Sequence, residues 1–158
     1  MQAERRVAAR LLTGGMLTGS PPSMIEKPLG VALIICDQVI VDKTTNKRTL
    51  VGIFNQIQAR SFPCRQNYLA VFAQLTNGSG VLPVVLRCAR QGIDEPLVEI
   101  EHSIDFPNPM ATIEIEFLIE GLIFKQAGAH VFELVVDGEH VIESRFNVKT
   151  KTEEKPEQ

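Results

Sequence analysis

The chain is short of the residues from which most catalytic and binding surfaces are built. Its 158 residues include no tryptophan, 1 tyrosine, 3 histidines and 3 cysteines. Sugars and single-stranded nucleic acids are held by stacking on exposed aromatic rings, and that platform is missing. No block of lysine or arginine stands beyond the N-terminal arginines, and the net charge is -3. A phosphate-tracking surface, and with it nucleic acid as a partner, is not expected. Cys36, Cys64 and Cys88 are an odd number at wide spacing, with no Cys-x-x-Cys pair. They lack the local pairing of a zinc site and read as reduced thiols of a protein core, which suits the cytoplasm. No apolar run is long enough to span a membrane, and Arg10, Thr13, Gly14 and Gly15 break up any signal-peptide core. No serine sits in a Gly-x-Ser-x-Gly elbow. Asn77-Gly78-Ser79-Gly80 is glycine-rich, but the Lys-Ser/Thr and helix of a phosphate loop do not follow.

What the chain does have is alternation. Around Asp137-Gly138, a pair suited to a two-residue type I′ turn, Phe132, Leu134 and Val136 share one face before the turn. Ile142, Phe146 and Val148 share one face after it. Val98, Ile100, His102, Ile104 and Phe106 alternate with acidic or small residues, as do Ile113, Ile115, Phe117 and Ile119, with Leu118 out of pattern. Period 2 marks strands that are dry on one side. Further strands are expected at 29–36, resuming at 39–41, then at 49–58, 68–76 and 82–89, with Asn77–Gly80 as a hairpin loop. Gly52 marks a bulge or a close backbone approach.

Hydrophobic residues are 44% and charged residues 22%, ordinary values for one globular domain. Roughly eight strand-like runs with no helical segment between them predict an all-β fold. The expected architecture is a two-layer antiparallel β-sandwich over residues 27–150, with a closed barrel as the other arrangement. Residues 1–26 read as an N-terminal arm, within which Met24 is the expected natural start. Residues 151–158 read as a polar tail.

No catalytic constellation emerges, and no cofactor or metal is called for. His102 lies on the apolar side of its run. His130 and His140 flank the Asp137-Gly138 turn and approach each other only if the pairing slips. Asp37, Asp42, Asp94, Asp105 and Asp137 are scattered singly, whereas calcium needs several carboxylates on one ion. The glutamates at 99–101 and 114–116 read as a solvated face; if their strands are neighbours, like charges oppose each other and a basic partner is expected nearby.

Several stretches together are distinctive: Cys36-Asp37 after an apolar start, Arg48-Thr-Leu-Val-Gly-Ile-Phe54, Phe62-Pro63, and the closing Gly128-x-His130-x-Phe132-x-Leu134-x-x-Asp137-Gly138. Over about residues 27–148 they resemble an uncharacterised bacterial family of small immunoglobulin-like β-sandwich proteins. The resemblance implies that fold and a start near Met24, and it carries no activity. His130 stands where many members place tyrosine, so a tyrosine-corner bond is not expected.

The reading is a non-enzymatic binding or scaffolding module of the bacterial cytoplasm, engaging another protein or a second copy through a sheet edge. The alternative is a hydrolase or metal-dependent enzyme with a loop-built site at one end of the sandwich. The candidate loop surface is Asp37, Asn55, Arg60, Phe62 and His130.

Overall fold

A computed structural model of the chain describes residues 27–152. The expected arm, its start at Met24 and most of the tail lie outside the described residues. Nine strands are present: β1 (Leu29–Val41), β2 (Arg48–Ile53), β3 (Gln56–Ala59), β4 (Cys64–Thr76), β5 (Gly80–Arg90), β6 (Pro96–Phe106), β7 (Ile113–Phe124), β8 (Gly128–Val136) and β9 (Glu139–Thr150). No helix occurs among the described residues.

The strands form a four-stranded sheet, β2-β1-β4-β7, and a five-stranded sheet, β3-β9-β8-β5-β6. The second sheet curls strongly, like half of a barrel. Every pairing is antiparallel except β3 with β9, which is parallel. The Asp137-Gly138 turn joins β8 to β9, with φ of 51° and 79° at its two residues. Both values are positive, as a type I′ turn requires.

One buried cluster draws on both sheets. Leu33, Ile35, Leu69, Val71, Phe117 and Ile119 come from the first; Leu86, Phe132, Leu134 and Phe146 come from the second. Each such side chain contributes about 1.5–3 kcal/mol by leaving water. The alternating positions of β7 to β9 thus become the dry faces that period 2 demands; in β6 this holds at Ile104 and Phe106, which are buried, but not at His102, which is exposed.

The chain departs from expectation in three places. The run 49–58 is two strands, not one. It breaks at Phe54-Asn55, where Phe54 packs against the core, and β3 then joins the other sheet beside β9. That partner lies some ninety residues away (Ile57 pairs with Val148), so local alternation cannot reveal it. Residues 77–80 are not a hairpin, because β4 and β5 belong to different sheets. The Asn-Gly cue reports only a positive φ, here 65° at Asn77, and not the partner of the next strand. Asp37-Gln38 does not interrupt β1, which continues to Val41.

The β1–β2 hairpin lies against the outside of its own sheet. Phe72, Ala70 and Cys36 are buried, yet register puts them on the face opposite Leu69, Val71 and Ala73, and none of the three belongs to the main cluster. Over this second layer Arg48 of β2 reaches Glu114 and Glu116 of β7. β2 and β7 are opposite edges in strand order, with three spacings of about 4.8 Å between them in a flat sheet. One side chain does not bridge that width, so the hairpin must fold across the outer face of β4. The 99–101 and 114–116 glutamates do not oppose each other, because β6 and β7 belong to different sheets; Arg48 serves Glu114 and Glu116 alone.

Candidate functional site

The five residues of the expected loop surface are dispersed. Asp37 is exposed within β1 and lies against Gly52. Gly52 has a φ of +70°, and a side chain there would collide with the Asp37 carboxylate, so it is the close approach that the sequence suggested. Asn55 is exposed in the link between β2 and β3, and its carbonyl accepts the Asn147 N–H at 2.9 Å. Arg60 is exposed beyond β3, while Phe62 is half-buried against the core. No hydrogen bond or ion pair joins any two of the five among the described residues.

His130 is not on a loop. It lies in β8 and is 2% exposed. Its Nδ1 is 2.9 Å from the Gly128 carbonyl oxygen. Its ring meets Phe124 edge-on at 5.0 Å and stacks on Phe146 at 5.5 Å. Burial, and to a lesser degree the charge of Arg90, holds its pKa below the ordinary value, against the opposing effect of the Gly128 carbonyl. The sequence carried this signal: His130 has the parity of Phe132, Leu134 and Val136, all inward.

His130 pairs with Phe146 and His140 with Val135, so the two histidines stand far apart along the hairpin. His102 is exposed, its ring 5.4 Å from that of Phe117. Asp42 serves a turn: its Oδ1 accepts the N–H groups of Thr44 and Thr45 at 2.8 and 3.0 Å, which holds its pKa below the ordinary value. Burial pushes the Cys88 thiol up to about 12 and raises that of Cys36, so neither supplies a thiolate at neutral pH.

Two surfaces do gather chemistry. The first is the outer face of the five-stranded sheet. Register aligns Arg87, Glu133 and Glu143 across β5, β8 and β9. The pairing then shifts: Leu134 meets Ile142, but Val135 meets His140. Val141 is the extra residue of a bulge, and bulges re-aim side chains. His140 thereby joins the face of Glu133 and Glu143, and one ligand atom from each of the three lies within 4.8 Å of the others. Beside them is an open groove of about 230 Å³ whose lining includes Arg87, Arg90, Asp94 and Arg145. Arg145 Nη2 is 3.1 Å from Glu143 Oε1. Arg87 Nε is enclosed without a hydrogen bond, its nearest carboxylate oxygen, from Glu99, being 3.7 Å away. The period-2 pattern marked Glu133 and Glu143 as outward, but only register and the bulge bring His140 to them.

The second surface is apolar. Ile53 is 63% exposed, Ile40 46% and Val51 41%. The pairs Cys36–Ile53, Gln38–Val51 and Ile40–Thr49 put the three on one face of the β1–β2 hairpin. β2 is an edge strand, and no strand pairs with its far side among the described residues.

No helix among the described residues is long and apolar enough to cross a membrane. Solved structures with some likeness include a β-glucosidase from Listeria innocua in complex with isofagomine, at 12% identity and a TM-score of 0.40. The match covers 78% of this chain and 16% of that one. Another is the Pseudomonas fluorescens alkylpurine DNA glycosylase AlkC bound to DNA containing an abasic site analog. It is 12% identical with a TM-score of 0.39, covering 74% of this chain and 30% of that one. The chain thus spans less than a third of the length of either, and the likeness carries no functional argument. No curated protein matches. Residues 31–149 match the model of a family described as "Family of unknown function (DUF6941)", and the chain belongs to that family.

Proposed function

We propose that the domain is a non-enzymatic recognition module of the bacterial cytoplasm that takes an extended segment of a protein partner along β2. The observation that carries this reading is the run of exposed apolar side chains, Ile53, Val51 and Ile40, beside an edge with no strand on its far side among the described residues. Soluble proteins blunt such edges with charge or proline. A contiguous exposed apolar strip marks an interaction surface. An extended peptide adds to such an edge through main-chain hydrogen bonds and reads out its side chains in alternation.

An immunoglobulin-like sandwich is the scaffold we infer. β4 pairs with β7 in one sheet, while β8 lies between β5 and β9 in the other. These pairings match the B–E and C–F–G neighbours of that fold. The His130 bond to Gly128 sits at the start of β8, where the fold's tyrosine corner would tie strand to backbone. The rival reading, a hydrolase or metal-dependent enzyme built on the loop residues, gains no support from His130, whose ring is enclosed by Phe124 and Phe146.

The test is affinity capture from the native host with the full chain, beside Ile53→Glu and Val51→Lys variants of unchanged melting temperature. One stoichiometric protein retained by wild type and lost from both variants is the expected result. Light scattering on the same samples identifies a second copy as the occupant if wild type is dimeric and the variants monomeric. Capture indifferent to both substitutions, or no capture and no self-association, overturns the proposal.

A further inference from the structure

We propose that Glu133, His140 and Glu143 form a binding site for one divalent transition-metal ion of the zinc class, open on its remaining side to the adjoining groove. The site lies on the five-stranded sheet, away from β2, and is independent of the recognition reading.

The donor set comes first. One imidazole nitrogen and two carboxylate oxygens suit zinc and its neighbours. Calcium and magnesium demand more oxygen ligands or a larger water shell. Distances agree. Two bonds of about 2.0 Å at a tetrahedral angle place ligand atoms about 3.3 Å apart. His140 Nε2 lies 3.6 Å from Glu143 Oε2, close to that spacing and longer than an ordinary hydrogen bond.

The electrostatics point the same way. Glu133 and Glu143 are direct cross-strand partners, and like charges so placed repel. Their neighbours relieve this in part. Arg145 occupies Glu143 Oε1 and leaves Oε2 directed to His140. Arg87 stands opposite Glu133 in register, yet its nearest carboxylate is that of Glu99. Glu133 has no ion pair among the described residues. A dication among the three ligand atoms would compensate both carboxylates at once.

Finally, the bulge at Val141 turns His140 to this face, which a regular hairpin would not do. Three protein ligands leave a coordination position free. Glu133 and Glu143 also line the groove bordered by Arg87 and Arg90, from which a water or a small anion would complete the shell.

The experiment is calorimetric titration of the full, chelator-stripped chain with zinc chloride and, separately, calcium chloride. Wild type is expected to bind one zinc ion per chain, with a rise in melting temperature and no response to calcium. His140→Ala and Glu143→Gln should each weaken zinc by at least about tenfold, since losing even an outer-sphere partner costs ~10–100-fold. Both side chains are exposed, so the variants should keep the metal-free melting temperature of wild type. Absence of saturable zinc binding overturns the proposal. So does binding that survives His140→Ala unchanged, which would place the ion elsewhere, or calcium binding as tight as zinc.

Discussion

Arg48 and Glu116 belong to strands at opposite edges of one sheet, yet the Arg48 Nε lies 2.8 Å from the Glu116 Oε2. Its Nη1 reaches Glu114 Oε2 at 3.0 Å. The guanidinium is thus the clasp that fastens the β1–β2 hairpin over the outer face of β4. The arginine is well enclosed, with 19% of its side chain exposed, so the two bonds are less screened than a surface pair. Arg48→Met should therefore destabilise the fold by about 1–3 kcal/mol, read as a lower urea midpoint. Adding Glu114→Gln and Glu116→Gln to the Arg48→Met variant should recover part of the loss, because the stranded carboxylates are then neutral. An unchanged midpoint in Arg48→Met would show that the clasp contributes nothing.

Phe72 tests the same hairpin from beneath. It is buried on the outer face and lies outside the main cluster. Truncation to alanine should cost about 3–5 kcal/mol if the void persists, and less where the hairpin settles onto it. The loss should be local. Backbone amides of residues 37–53 are expected to exchange faster, while those of β5, β8 and β9 keep their protection. Uniform loss across both sheets would place Phe72 in the global core instead.

How far the sequence disclosed these features depends on their range. Alternation in β6 to β9 needs only neighbours two residues apart, and it was legible. Asp137-Gly138 declared its turn because two successive positive φ values restrict residue choice. The parallel pairing of Ile57 with Val148 and the reach of Arg48 to β7 depend on chain crossing that no local pattern encodes. A basic partner for Glu114 and Glu116 was expected only on the pairing of their strand with the 99–101 strand; β6 and β7 lie in different sheets, and Arg48 reaches them by the hairpin's crossing instead. Asp37 was expected on a loop-built surface, whereas it stands within β1 against Gly52 in the hairpin. The Glu133–His140–Glu143 grouping was hidden for a different reason. One extra residue, Val141, changes the face of His140, and a bulge of one residue leaves the hydrophobic pattern around it intact.

Gly52 and Asp37 offer a separable pair of effects. Gly52→Ala meets both a positive φ and the Asp37 carboxylate. The backbone term alone costs about 1–3 kcal/mol. Asp37→Ala by itself removes an exposed side chain with no hydrogen bond among the described residues, and should shift stability by no more than about 0.5 kcal/mol. Combined, the two substitutions should be less destabilising than Gly52→Ala alone, because the carboxylate collision is gone and what remains is the backbone strain and a tight 3.1 Å contact with the residue-37 Cβ. Strict additivity in chemical denaturation would show that the close contact has no energetic weight.

His130 should give the fold a pH dependence of definite sign. In the unfolded chain its ring titrates near the ordinary 6.5, whereas in the folded protein burial holds the pKa below that. As pH falls through 6.5, the unfolded state takes up a proton that the folded ring resists. The contribution is therefore fully present above the unfolded value and is lost as pH falls toward and through the folded value. The groups facing the ring reinforce this: Phe124 and Phe146 offer no charge, and Arg90 opposes a second cation. His130→Phe keeps an aromatic ring there but leaves the Gly128 carbonyl without its side-chain partner, a loss of about 1 kcal/mol at pH 7.5. The variant should then start less stable than wild type at pH 7.5 and lose less on acidification, so that the two melting temperatures converge or cross by pH 5. Parallel melting-temperature curves for the two proteins across that window would remove His130 as the origin of the acid sensitivity.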